Sequence, residues 1–162
     1  AYFNKFPGVW AHGDYACRTK DDGLVIFGRS DATLNSGGVR IGTAEIYRQV
    51  EKIDEILEAV AVEIKLRHNS EVVLFVVLKE SFNLDQKLID HIKTELKKNA
   101  SPRHVPSEII SVNDIPRTIS GKIAELTVKA AVEGTKIKNR EALANPESVD
   151  LFVNIFDHED GD

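Results

Sequence analysis

Residues 58–78 read EAVAVEIKLRHNSEVVLFVVL, and their reading decides the fold. Between 58 and 66 the residues alternate. Val60, Val62, Ile64 and Leu66 fall on one side and Glu63 and Lys65 on the other, which predicts a half-buried strand. Arg67 to Glu71 is a polar turn, and the unbroken apolar run Val72 to Leu78 predicts a strand covered on both faces. Together they predict a hairpin.

Helical periods flank this hairpin. Ile46, Val50 and Ile53 recur at helical spacing after Thr43, which is expected to cap the first turn. Leu84, Leu88, Ile92 and Leu96 predict a helix over about 85–98, with Asp85 at its amino end and Lys93, Lys97 and Lys98 on its outer face. Pro102 and Pro106 stop it, a third strand is expected over Glu108 to Val112, and a last helix over about 123–133 closes at Gly134. The first thirty residues read as strands and turns, and Val39 to Ile41 as a very short strand. The expectation is an α+β domain: a small mixed sheet of about three strands plus a short hairpin, covered by helices.

Length and composition agree with this. A chain of 162 residues with 42% hydrophobic and 29% charged residues is long enough for a core of its own and is not of disordered type. The longest apolar run is far too short to span a bilayer, and no signal peptide is visible. The single cysteine, Cys17, rules out an internal disulfide framework and fits a reducing, cytoplasmic setting. The five histidines are scattered without zinc-like spacing, so no metal site is expected here. Residues 141–162 hold seven acids and no Lys or Arg, more than the whole net charge of −5, so the body is slightly basic and the acidic tail argues against duplex DNA as a ligand. The chain begins without Met and contains none, which points to an excised domain of a longer polypeptide.

Two loops are candidates to carry chemistry, although a turn of the first kind, read alone, is more often an ordinary solvated loop. Residues 116–122, Pro-Arg-Thr-Ile-Ser-Gly-Lys, form an exposed turn that presents one ammonium group, Lys122. A compact cation suits a phosphate or carboxylate oxygen that gains charge during reaction. Upstream, Gly28-Arg29-Ser30-Asp31 and Gly38-Val39-Arg40 combine glycines, arginines and an acid.

Taken in order with His12-Gly13-Asp14 and Glu45-Ile46, these loops resemble the carboxy-terminal part of the adenylate-forming acyl-CoA synthetase superfamily. The likeness covers residues 12 to about 133. Gly-Arg-Ser-Asp-Ala-Thr-Leu-Asn from Gly28, Ser101-Pro102-Arg103-His104-Val105-Pro106, and the extension around Asn145-Pro146 are similar to the branch of that superfamily that activates acetoacetate. Ala32, where acetate-activating relatives carry an acid, favours acetoacetate over acetate or another short acid.

The resemblance implies a two-step ligation. ATP and the acid give an acyl-adenylate and diphosphate, and CoA then displaces AMP. It implies that residues 1–30 end a large amino-terminal domain, 31–138 form a mobile lid, and 139–162 are an acidic extension. Partners are then ATP, CoA, acetoacetate and the amino-terminal domain of the same polypeptide, with no nucleic acid and no membrane. Mg2+ is expected in the intact enzyme, with no ligand in this segment.

By resemblance, Lys122 is the catalytic lysine of adenylation. Asp14 contacts the ribose, Arg29 assists at ribose or phosphate, and Asp31 is the hinge. Gly37 and Gly38 line the path of the CoA arm, Arg40 holds phosphate oxygens of CoA or nucleotide, and Lys93 lies near the CoA nucleotide. From the residues alone, Lys93 reads as a solvated helix lysine and Asp31 as a turn residue. Two other readings stand beside this one: a domain that loads a carrier-protein thiol, and a binding or regulatory module without chemistry. In isolation the segment is expected to be inactive, because the pockets for adenine and acid lie elsewhere in such enzymes.

Overall fold

The computed structural model describes residues 6–30, 32–36, 38–66, 69–137 and 139–156. At the centre is a three-stranded mixed sheet of β5 (Ile56–Leu66), β6 (Asn69–Leu78) and β7 (Glu108–Ser111). The hairpin expected from residues 58–78 is present, with Val60 opposite Phe75 and Val62 opposite Val73. Its strands run further than alternation alone indicates, because the polar residues Asn69 to Glu71 also join the ladder. Strand β7 lies parallel to β6, with Leu74 opposite Ile109. That pairing requires a crossover, which helix α2 (Gln86–Asn99) supplies.

Each face of the sheet carries its own core. One collects Ala59, Ala61, Val72, Leu74 and Val76 under α2 and under α1 (Thr43–Val50), through Ile46, Val50, Leu88, Ile92 and Leu96. The other collects Val60, Val62, Ile64, Val73, Phe75 and Val77 under α3 (Glu125–Val132) and the carboxy-terminal segment. Strand β5 is therefore buried on both faces, not half-buried. The alanines at 59 and 61 are small enough for α1 to pack over them, so their weak signal hid a second apolar face.

Helix ends follow local chemistry. Asp85 caps α2, its Oδ1 accepting from Leu88 N at 2.8 Å, and Lys97 and Lys98 occupy the last turn, where the helix dipole favours cations. Thr43 is not the cap of α1. Gly42 holds that position with no side-chain cap, and Thr43 is the first helical residue, buried. Close approach explains the glycine: a Cβ on Gly42 would lie 1.9 Å from Phe27 O. Helix α3 starts at Glu125, two residues later than the apolar pattern indicates, because Arg117 and Ile123 bridge as antiparallel partners.

Two hairpins precede the sheet. Strand β1 (Asp14–Arg18) pairs with β2 (Leu24–Arg29), and β3 (Leu34–Ser36) with β4 (Val39–Ile41). Leu34 and Ile41 bury the second hairpin in the α1–α2 core. The first hairpin touches α1 through β2 but leaves Tyr15, Leu24 and Ile26 largely exposed. After α3, the chain turns through 3-10 helices at Arg140–Ala142 and Pro146–Leu151, and Val149 and Phe152 become fully buried. The Phe152 ring meets Phe75 edge-on at a centroid distance of 5.0 Å. No described helix is long and apolar enough to cross a membrane.

Candidate active site

Lys122 ends a tight turn whose backbone is fully organised. Thr118 N donates to Lys122 O at 2.8 Å, Gly121 N donates to Thr118 O at 2.8 Å, and Lys122 N donates to Thr118 Oγ1 at 3.2 Å. Gly121 takes a φ of +80°, a region where a side chain is strained, which accounts for glycine before the lysine. Ala124 N donates to Pro116 O at 2.9 Å and closes the base of this hairpin. Lys122 and its neighbour Ile119 are exposed at the tip.

Arg117 ties the turn to the sheet. Its guanidinium pairs with Glu58 on β5, reaches Asp114 Oδ1 at 3.3 Å and donates to Ile115 O at 2.9 Å. From the far end of the chain, Asn145 adds three contacts. Its Oδ1 accepts from Arg117 N at 2.8 Å, while Nδ2 donates to Asp114 Oδ2 at 2.6 Å and to Ile115 O at 2.9 Å. Sequence reasoning gave neither residue a role. Arg117 lay inside the quoted loop without a partner to suggest its use, and Asn145 entered only through the likeness of the extension.

The other expected residues form a second group. Gly38 has a φ of +84° at the β3–β4 turn with open space where a side chain would begin, and Arg40 is exposed on β4. Arg103 Nη1 donates to Ser36 O at 3.3 Å and so braces this turn from the Pro102–His104 helix. Behind it, buried His104 accepts or donates at Nδ1 to Ser101 Oγ over 2.8 Å. Its Nε2 stands 2.7 Å from Glu45 Oε2, close enough for a charge pair but out of line for a directed hydrogen bond. Lys93 lies on α2, half-buried.

Asp14 and Arg29 are cross-strand neighbours in the first hairpin, and His12 Nδ1 lies 2.5 Å from Asp14 Oδ2. Asp31 and Gly37 lie outside the described residues.

The two groups occupy opposite sides of the sheet. Gly38, Arg40 and Lys93 belong to elements packed on the α1–α2 core, while the Lys122 turn is rooted through Ile115 and Ile123 in the α3 core. Between them, at the edge, Tyr47 on α1 donates to Glu125 Oε1 on α3 at 2.5 Å and accepts from Ala61 N at 3.1 Å. Loss of hydration, and secondly the Glu125 charge, push the Tyr47 phenol well above its ordinary range. Among the described residues, no three His, Cys, Asp or Glu side chains gather as a metal site.

Comparison with known proteins bears on this arrangement. Residues 44–122 match the model of the AMP-binding enzyme C-terminal domain. The chain is 56% identical over 155 residues to an acetoacetyl-coenzyme A synthetase of Rhizobium meliloti (strain 1021), covering 96% of this chain and 24% of the relative. It is 46% identical to the acetoacetyl-CoA synthetase of Rattus norvegicus, covering 96% of this chain and 23% of the relative. The solved structure of acetoacetyl-CoA synthetase from Streptomyces lividans superposes with a TM-score of 0.84 at 40% identity, over 93% of this chain and 23% of that one. The chain thus spans about a quarter of the length of the relatives it matches. With its two-sided sheet and its lysine-tipped turn, this chain belongs to the AMP-binding enzyme C-terminal domain family.

Proposed function

We propose that this chain is the carboxy-terminal lid of an ATP-dependent acid–CoA ligase acting on acetoacetate, working in the cytoplasm with a larger amino-terminal domain of the same polypeptide. Acetoacetate, ATP and CoA give acetoacetyl-CoA, AMP and diphosphate through an acyl-adenylate. Residues 1–30 belong with the preceding domain, which supplies a partner for the exposed Tyr15, Leu24 and Ile26 side chains. Residues 31–138 are the moving body, with a hinge at Asp31, and 139–162 are the extension.

The observation that carries this reading is the separation of the two groups onto opposite faces of one sheet. Presented to the reactants, the Lys122 face brings an ammonium to the attacking carboxylate and the α-phosphate, neutralising charge as the bond forms. Asp14 and Arg29 attend the ribose and phosphate. When the body turns over, the other face brings Gly38 alongside the CoA arm, where a missing side chain leaves room for a thin chain, and Gly37, outside the described residues, is assigned to the same path. Arg40 and Lys93 then meet phosphate oxygens of CoA.

Half-reactions of the longer polypeptide test the assignment. Lys122→Ala is expected to lower acetoacetate-dependent pyrophosphate exchange by about two to three powers of ten. Formation of thioester from supplied acyl-adenylate should stay near the unmodified rate. Equal loss of both half-reactions would overturn the division between faces, and exchange with acetate but not acetoacetate would overturn the acid assignment.

A further inference from the structure

We propose that Asn145 is a positioning residue for adenylation, through which the carboxy-terminal extension sets the placement of the Lys122 turn. This rests on the ligase reading above but adds a component to it. The matched family domain ends at residue 122, and Asn145 stands beyond it.

The contacts run in an unbroken line. Phe152 is fully buried against Phe75 of the central strand, which fixes the extension to the sheet. One turn of 3-10 helix earlier, Ser148, itself buried, donates from Oγ to Asn145 O at 2.7 Å and from its backbone N at 3.1 Å. The Asn145 amide then uses its oxygen on Arg117 N and its nitrogen on Asp114 and Ile115. Ala144 N donates to Arg117 O at 2.8 Å, and Leu143 bridges Thr118 as an antiparallel partner. The extension therefore acts as an added strand along the outer edge of the turn that carries Lys122. Both backbone groups of Arg117 are occupied by it, the N–H by Asn145 Oδ1 and the carbonyl by Ala144 N.

The chemistry requires an amide at 145. One oxygen must accept from a backbone N–H while one nitrogen donates to a carboxylate and a carbonyl, and only Asn or Gln offers both. Aspartate would keep the acceptor but set a second carboxylate against Asp114. Without Asn145, the turn retains its internal hydrogen bonds and the Arg117–Glu58 pair, but the frame around Pro116 loses three contacts. The Lys122 amine then samples positions away from the α-phosphate. Misplacement of about 1 Å at a reacting centre costs on the order of 100-fold in rate.

The experiment compares the longer polypeptide with its Asn145→Ala, Asn145→Asp and Asn145→Asp/Asp114→Asn variants. Hydrogen exchange at the Thr118, Lys122, Ala124 and Ala144 amides is followed, with β6 amides as the reference, beside both half-reactions. Asn145→Ala is expected to speed exchange in the turn with β6 unchanged. It should lower pyrophosphate exchange about 10- to 100-fold, with thioester formation from supplied adenylate held within about threefold. The double variant, in which donor and acceptor trade places across the contact, should recover part of what Asn145→Asp loses. Equal loss in both half-reactions, unchanged exchange in the turn, or a double variant no better than Asn145→Asp would each overturn the positioning role. If Asn145→Ala loosens β6 as well, recovery in the double variant alone decides the matter. An unmodified protein with no adenylation under any acid would overturn the ligase reading, and the positioning role with it.

Discussion

Arg117, one residue into the lysine turn, reaches Glu58 on β5 and joins a loop to the sheet by an ion pair. The two side chains are 25% and 31% exposed, so solvent screens the pair and its net contribution to stability is modest. Its value is directional. The guanidinium serves Glu58, Asp114 and Ile115 O at once, which an ammonium cannot do in the same geometry. Arg117→Lys is expected to lower pyrophosphate exchange about tenfold while the urea midpoint shifts little. A large midpoint shift with unchanged exchange would show a purely structural pair.

Gly42 and Gly38 separate two reasons for glycine. At Gly42 the backbone of Phe27 fills the space of a Cβ, so Gly42→Ala forces β2 off α1 and should destabilise by about 1–3 kcal/mol. At Gly38 space is open and only the backbone angle objects, at about 1–2 kcal/mol. Denaturant unfolding of the two alanine variants checks the ranking. If the proposed ligase reading holds, Gly38→Leu is expected to block thioester formation and leave pyrophosphate exchange intact.

Alkaline pH should find Tyr47. Its phenol is held above the ordinary value, so between about pH 10 and that higher value the unfolded chain ionises while the folded one does not. The stabilisation is whole below about pH 10 and is lost as pH rises through the window above it. Denaturation midpoints at about pH 8 and about pH 11 should therefore fall less steeply for Tyr47→Phe than for the unmodified chain. At neutral pH the same variant should lose about 1–2 kcal/mol, because Ala61 N is left without its acceptor.

Phe152→Ala removes a fully buried ring from the extension and should cost about 3–5 kcal/mol, whereas Leu151→Ala, at 39% exposure, should stay within about 0.5 kcal/mol. Thermal unfolding of both variants checks the contrast. Similar effects from the two would mean that the extension does not belong to the core.

Much of this fold was legible because its strongest signals are local. The run from Val72 to Leu78 reads as a buried strand whatever surrounds it, and the Leu88–Ile92–Leu96 stripe reads as a helix face. Less was visible where a partner decides. Ala59 and Ala61 are weak apolar signals until α1 is laid over them, and Leu34 to Ser36 form a strand only because Val39 to Ile41 fold back onto them. Gly42 gives no local reason for itself, because what demands a glycine there is the approach of Phe27. For the site, the turn bearing Lys122 was readable from glycine and proline chemistry. The Asn145 amide was not, since 28 positions separate it from Arg117 and no local pattern announces that contact.

The shared sheet has a mechanical corollary. With packed side chains pressing on it from above and below, β6 offers no slack, and a rearrangement on one side would open a void on the other. On the ligase reading proposed above, alternation between the two sides would then fall to the proposed hinge and not to the sheet, whose two cores would move together. On that same reading, substitutions that alter the tempo of switching are expected at the proposed hinge, Asp31, while those in the two cores of the sheet are expected to change only how long the fold survives heating.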